Sequence, residues 1–322
     1  GGTKTVLAVF SADNGPNHPL AERSYPSAQY DSLEQIISIF LADLDLPVDS
    51  ACFAIAGPIV AGRAKVTNLT WVVDSHNLKS TFGWADVRLL NDLEAVAYAI
   101  TILEPADIHT LNPGKPVEGG SIAVLAPGTG LGEAFLTYHH GRYVAHASEG
   151  SHVSFGPVGD MQLGMLKYMH DQGFSHVSFE RVCSGALGIP NLYAYLKSIN
   201  YAPEPAWLTH QLAESTDPTP VIVNAALNQD QPCEIAAVAL RLFVDILGAE
   251  AGNMALKLLT SGGIYLGGGI PPRILPALDQ PRFLEAIVAK GRFRDLLSSY
   301  PVHVILNAKA GLLGAASYGL AK

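Results

Sequence analysis

Cysteine is scarce. The 322 residues contain three, Cys52, Cys183 and Cys233, far apart and among apolar neighbours. An odd count argues against a disulfide framework, and no C-x-x-C pair offers a structural zinc site. Cysteine used this way suits a reducing cytoplasm. Basic charge is scarce too. Twenty Lys and Arg against 29 Asp and Glu give a formal net charge of −9. That balance lacks the electrostatic footprint of a nucleic-acid binder and disfavours anionic membranes, leaving room only for a local basic pocket. Uninterrupted hydrophobic runs are missing. The most apolar helix candidate, Cys233–Leu259, carries Glu234, Arg241, Asp245, Glu250 and Lys257, so it reads as a buried helix and not a membrane span. No signal peptide is visible. A leading methionine is absent as well. Gly1-Gly2-Thr3-Lys4-Thr5 read as the middle of a glycine-rich turn, so further residues are expected upstream.

What is present is apolar: 48% of the residues, enough for packed cores, over a length that favours two domains. Strands are expected at Thr5–Phe10, Ala51–Ala56, Lys65–Val73, Val87–Leu90, Ser121–Ala126, Ala134–Tyr138, Gly263–Leu266 and Val302–Leu306. Helical spacing marks Ser32–Leu44, Ser75–Phe82 with Ser75 as its cap, Leu93–Ile102, Asp160–His170, Glu180–Ser198 with a break at Gly185–Pro190, Cys233–Leu259 and Gly311–Leu320. This alternation means an α/β protein. The Pro-rich stretch Pro203–Pro220 is the best candidate for a surface excursion.

Two glycine turns stand before strands, Gly1–Thr5 and Gly128–Gly132, one in each half. Without a Cβ, backbone N–H groups approach a phosphate closely. Thr3 and Thr129 add hydroxyl donors and Lys4 a point charge. Each turn alone reads equally well as a plain hairpin. A P-loop is excluded because Thr3 precedes Lys4. A dinucleotide fingerprint is excluded because Gly128-Thr129-Gly130-Leu131-Gly132 has the wrong spacing and leads into a strand. Two hairpin turns from two halves suit a triphosphate instead. Gly267-Gly268-Gly269 is a strand-to-helix turn, or a flat backbone surface that admits a purine.

Three polar sites remain. Asp92, with Asn91, follows a buried strand, where ligand-facing groups of α/β sheets gather. It is a candidate base for a substrate hydroxyl, or an ordinary helix cap. Glu149 and His152 sit in a Gly/Ser loop suited to hydroxyl recognition, or simply to solvent. Glu180-Arg181 is a third polar pair, or a surface ion pair of little worth.

Taken in order, these segments resemble one family. GGTKT (Gly1–Thr5), AIAGP (Ala54–Pro58), VTNLTW (Val66–Trp71), LLND (Leu89–Asp92), GTGLG (Gly128–Gly132), EGSHVSF (Glu149–Phe155), ERVCSGALGIPNLY (Glu180–Tyr193), GGIYLGGGIPPR (Gly262–Arg273) and GLLGAA (Gly311–Ala316) are similar to the bacterial glucokinases, the branch separate from the ROK sugar kinases. The cysteine-rich zinc motif of the ROK branch is missing. The resemblance implies an actin-like, ribonuclease H-like fold. Its two domains, each a mixed five-stranded sheet with helices, would flank a cleft: a small one of residues 1–100 plus 308–322 and a large one of 101–307. It implies a cytoplasmic homodimer that uses ATP, with Mg2+, to phosphorylate glucose. Asp92 would be the catalytic base. Asn91, Asp92, Glu149, His152 and Glu180 would bind the sugar. Gly1, Gly2, Thr3, Lys4, Gly128, Thr129 and Gly130 would hold the phosphates, and Gly267, Gly268 and Gly269 would lie by the adenine. Ser151 replaces a glycine usual in the Glu-Gly-Gly-His loop, and the loop should keep its shape unless that position needs a positive φ. Two other classes compete: a non-catalytic actin-like ATP-binding module, and a sugar-sensing regulator, which would need a basic DNA-binding extension.

Overall fold

The computed structural model describes residues 4–44, 46–67 and 69–321. The phosphate-loop roles expected of Gly1, Gly2 and Thr3 fall outside these residues. In chain order the elements are β1 (Lys4–Val9), β2 (Ala21–Pro26), α1 (Leu33–Ala42), β3 (Ser50–Ile55), β4 (Ile59–Val60), β5 (Arg63–Lys65), β6 (Val72–Asp74), α2 (Ser75–Phe82), β7 (Asp86–Asn91) and α3 (Asp92–Ala99). They continue with β8 (Ile108–Asn112), β9 (Ile122–Pro127), β10 (Leu131–His139), β11 (Arg142–Ser148), α4 (Gly159–Asp171), α5 (Phe179–Val182), α6 (Gly188–Ser198), α7 (Ala206–Glu214), α8 (Pro218–Leu227) and α9 (Glu234–Leu258). Last come β12 (Gly263–Leu266), α10 (Leu275–Leu278), α11 (Pro281–Val288), α12 (Arg294–Ser298), β13 (Val302–Ile305) and α13 (Ala310–Leu320).

The chain divides into two units, Gly1–Asp107 with Ala134–Ala147 and Asn307–Lys322, and Ile108–Glu133 with Ser148–Leu306. Segment 134–147, which the sequence reading leaves in the larger domain, groups with the first unit. Its partners there explain this: the Ala145 N–H bonds the Tyr98 hydroxyl, and His146 acts on the Glu94 carboxylate.

In the first unit, α1 buries Leu33, Ile36, Ile37 and Phe40, the i, i+3, i+4, i+7 stripe of an amphipathic helix. Ser32 caps it, accepting from the Gln35 N–H at 3.3 Å. The cap of α2 is Asp74 and not Ser75. The Asp74 carboxylate accepts from both His76 and Asn77 N–H groups, at 2.9 and 3.2 Å, and Ser75 is already helical. The five-stranded sheet expected here is instead a set of smaller sheets among the described residues. They are antiparallel β1-β2, parallel β3-β7, and antiparallel β4-β5-β6. The run read as one strand, Lys65–Val73, is a hairpin, because a turn separates β5 from β6. Helix α13 packs on α3, and the approach is close at Gly314: a Cβ there would collide with the Ala95 carbonyl oxygen.

The second unit holds the larger core. Strands run in the order β9-β12-β13-β8, with β9/β12 and β12/β13 parallel and β13/β8 antiparallel. All six residues of β9 are buried, as a strand covered on both faces requires. Helix α9 is buried along most of its 25 residues and packs against α6, α8 and α11. Pro203–Pro220 does lie mostly at the surface, but as helix and not as an irregular excursion. It builds α7 and the start of α8, with Pro205 and Asp217 as N-caps and Pro218 in the first turn. Proline's fixed φ suits a helix start; Leu208 of α7 enters the core, as do Ile222 and Val223 of α8, just past the stretch. The expected break at Gly185–Pro190 is narrower, since Pro190 lies in the first turn of α6.

Candidate active site

Asp92 and Asn91 belong to the first unit, where β7 hands over to α3. The capping residue is Asn91. Its side-chain oxygen accepts from the Leu93 and Glu94 N–H groups at 3.0 and 3.4 Å. Glu94 returns a bond to the Asn91 N–H at 3.3 Å, completing a capping box. The Asn91 amide also donates to the Gly57 carbonyl at 3.2 Å. With Asn91 as cap, Asp92 becomes the first helical residue. It is half-buried, with one carboxylate oxygen 3.0 Å from the Leu93 N–H. A carboxylate at a helix N-terminus is favoured by the unpaired N–H groups there. Lys4 is exposed at the start of β1.

The remaining candidates gather in the second unit. Glu149 precedes a single 3-10 turn, Gly150–His152, and the chain then runs beside residues 176–179. The Phe155 N–H bonds the Val177 carbonyl and the Phe179 N–H bonds the Val153 carbonyl. Ser178 caps the short α5, so Glu180 falls in its first turn. The pairing brings three side chains together. His152 Nε2 is 3.6 Å from Glu149 Oε2, and His152 Nδ1 is 3.5 Å from Glu180 Oε2. Glu149 is 70% exposed and Glu180 26%. At these separations the groups are neighbours rather than tightly bonded partners. An imidazole flanked by two accessible carboxylates has its hydrogen-bonding capacity left for a ligand. Ser151, the residue in place of glycine, is buried and has no positive φ, so serine fits the turn without strain.

The glycine loop after β9 lies against this cluster. A Cβ on Gly130 would come within 2.5 Å of Glu180 Oε1, so a side chain there would push the Glu180 carboxylate aside. The loop is held from the α5–α6 connection: the Gly185 N–H bonds the Gly128 carbonyl at 2.8 Å and the Ala186 N–H bonds the Thr129 carbonyl at 3.1 Å. Gly185 has no room for a Cβ either, with the Gly128 carbonyl oxygen 2.5 Å away. Thr129 stays exposed. The turn after β12 reaches the same loop. The Gly267 N–H bonds the Leu125 carbonyl, the Ile270 N–H bonds the Pro127 carbonyl, and Gly268 has φ +82° beside the Pro127 oxygen. Gly268 and Gly269 are exposed. The second unit thus presents an acid–imidazole–acid cluster, a glycine loop and a second glycine turn as one continuous surface.

A sequence profile of the glucokinase family matches residues 1–322. A glucokinase of Nostoc punctiforme is 40% identical over 98% of this chain and 96% of its own length. The chain belongs to the glucokinase family. The crystal structure of a glucokinase from an Antarctic psychrotroph superposes with a TM-score of 0.83 at 31% identity, covering 98% of this chain and 95% of that one. A ROK-family glucokinase of Streptomyces griseus, solved in complex with glucose and AMPPNP, reaches 0.62 at 22% identity, covering 99% and 96%. That likeness is one of fold. The fold is therefore the actin-like one shared by glucokinases and ROK sugar kinases, and the family makes this chain a hexose kinase.

Within this glucokinase fold, sequence reading overlooked three residues that shape the site. Gly57 takes the Asn91 amide and has φ +143°, with the Lys65 carbonyl oxygen 2.6 Å from where a Cβ would sit. Gly185 seats the Gly128–Gly130 loop. Glu133 on β10 is buried beneath the Glu149–His152 turn, and a Cβ on Gly150 would collide with its Oε2. An acid inside an apolar strand, LGEAFL, was the available signal.

Proposed function

We propose that this chain transfers the γ-phosphoryl group of ATP to the 6-hydroxyl of glucose, giving glucose 6-phosphate and ADP. The observation that carries the reading is the Glu149–His152–Glu180 cluster with Gly130 seated against Glu180. Groups able to read a polyol lie directly beside a loop able to receive a phosphate. A carboxylate accepts from adjacent hydroxyls, and imidazole both donates and accepts. Glucose as the sugar is supported by the glucokinase relatives, and an ATP-like donor by the Streptomyces griseus complex.

In the reaction so assigned, Asp92 takes the proton of the 6-hydroxyl as O6 attacks the γ-phosphorus. The O6–P bond forms, the bond to the β-phosphate oxygen breaks, and ADP leaves. Asn91, Glu149, His152 and Glu180 hold the other hydroxyls. Asn91 brings one amide hydrogen, because its oxygen serves the α3 cap and its other hydrogen serves Gly57. Gly1, Gly2, Thr3 and Lys4 with Gly128, Thr129 and Gly130 receive the phosphates, and Gly267–Gly269 faces the adenine. Mg2+ would be supplied with ATP and would offset the charge on its phosphates. Phosphoryl transfer is mostly positioning and charge stabilisation, so so few reactive groups suffice. The reading includes a homodimer in the cytoplasm. No helix among the described residues is long and apolar enough to cross a membrane.

The test is a coupled assay for glucose 6-phosphate with ATP, magnesium and glucose, with mannose and fructose as rivals. Turnover that depends on glucose and prefers it supports the reading. ATP hydrolysis indifferent to sugar would shift it to a non-catalytic actin-like module. A preference for another hexose would keep the chemistry and change the substrate.

A further inference from the structure

Beneath the sugar-binding turn lies a charge problem that the reaction does not use. Glu133 is 3% exposed and Glu250, on α9, is 0% exposed. Among the described residues, one carboxyl oxygen of each, Glu133 Oε1 and Glu250 Oε1, is buried without a hydrogen-bond partner. Glu250 Oε2 receives the Asn253 amide at 2.8 Å. Glu133 Oε2 instead faces the backbone of Gly150, close enough that no Cβ fits between them. The Gly150 N–H is already engaged, donating to Ser148 Oγ at 3.0 Å. The carboxyl therefore meets an alpha carbon and a used donor, a setting that tolerates a neutral acid and penalises an anion.

We propose that Glu133 is a positioning residue for the glucose-binding turn and works as a neutral carboxylic acid. Its ionisation pulls Gly150 out of place and weakens glucose binding. The inference rests on the reading above that Glu149 and His152 hold the sugar. Burial, and then the negative charge of Glu250, push the Glu133 carboxyl up to about 8, with Lys257 opposing. Two further ionisable groups share its surroundings, the Cys183 thiol and the Glu250 carboxyl. The Cys183 thiol is raised well above its usual range by burial and by both acids. The Glu250 carboxyl is itself raised by burial, against Asn253, Lys257 and Lys290. Ionising Glu133 thus adds an anion beside a second buried acid. The backbone against its Oε2 is that of Gly150, in the turn that carries Glu149.

The test is calorimetric measurement of the glucose Kd between pH 7 and 9.5 for the full chain, for Glu133→Gln and for Glu149→Gln. If only the neutral form binds, the wild-type Kd rises about tenfold from pH 7 to 9, the slope of a single deprotonation. Glu133→Gln, neutral at every pH, holds its Kd level over the same range. A wild-type Kd independent of pH, or a Glu133→Gln variant that keeps the wild-type slope, overturns the proposal. Glu149→Gln separates the two readings. An unchanged affinity at pH 7 removes the turn from the sugar site, whereas weakened affinity leaves only Glu133's role in question. Carbon-13 spectra of glutamate-labelled wild type give a further readout. A Glu133 carboxyl signal that titrates in the ordinary range near 4.5 overturns the proposal whatever the variants do.

Discussion

At the scale of single residues, the site divides labour between groups that react and groups that merely allow approach. Asp92 is a half-buried carboxylate set at the first position of α3 by its neighbour, Asn91, which performs the capping. Replacing Asp92 by Asn keeps the shape and removes the carboxylate proposed as the base. The expected outcome is a fall in kcat of about 10²–10⁴-fold with the glucose Kd largely kept, checked by pairing the coupled assay with calorimetry. A kcat near wild type would remove Asp92 from the base role. Gly130 does its work by lacking a side chain. In Gly130→Ala the new methyl meets Glu180 Oε1, so the carboxylate has to swing away. The KM for glucose should rise by roughly tenfold, the worth of about one hydrogen bond to a charged group. If instead only the KM for ATP changes, Glu180 is not a sugar ligand. At this scale the sequence was informative about which residues matter and silent about how they are seated. Asn-Asp at a strand end was legible, but which of the two caps depends on one φ/ψ pair. The closeness of Gly130 to Glu180, fifty positions on, depends on tertiary pairing that spacing does not reveal.

Among the elements, those whose own periodicity decides them were the easiest to read. Helix α1, with its four buried apolar residues, and β12, with its β-branched and aromatic run, carry their signals locally. Helices α7 and α8 did not, because proline is at once a loop residue and a favoured helix opener, and only the burial of Leu208 and Ile222 settles which. The strands β2, β8 and β11 were missed for a related reason: half-exposed strands such as AERSYP show no apolar alternation. Element packing can be tested at the α3–α13 contact. Gly314 lets the two helix backbones approach until a methyl would strike the Ala95 carbonyl. Gly314→Ala usually stabilises a helix by a few tenths to about 1 kcal/mol. Here overpacking should win and cost about 1–3 kcal/mol, read as a lowered melting temperature. A stabilised variant would mean that the contact is loose.

For the whole molecule, the buried acids link stability to pH. The Glu133 carboxyl is pushed up to about 8, chiefly by burial, from the ordinary value of 4.5 that it regains on unfolding. For a group raised on folding, stability is fullest below the unfolded value and is lost as pH climbs towards the folded one. The native protein should therefore lose stability between about pH 4.5 and 8, by an amount on the order of 5 kcal/mol from this group. Glu133→Gln should melt at a higher temperature than wild type at pH 8.5, with the gap closing towards pH 5. A gap that stays constant with pH would show that the substitution acts through packing and not through charge.

The first unit is assembled from three stretches, the last of which carries α13. On a ribosome the chain emerges from its N-terminus, so the partner that covers α3 is made only after the entire second unit. Residues of the early segment, including Ala95 at the base of that contact, must wait through about two hundred residues of synthesis before their neighbour exists. At roughly 5–20 residues per second that is a delay of about ten to forty seconds. During it the apolar surface of α3 stands uncovered, and a chaperone that shields nascent helices would find its client there.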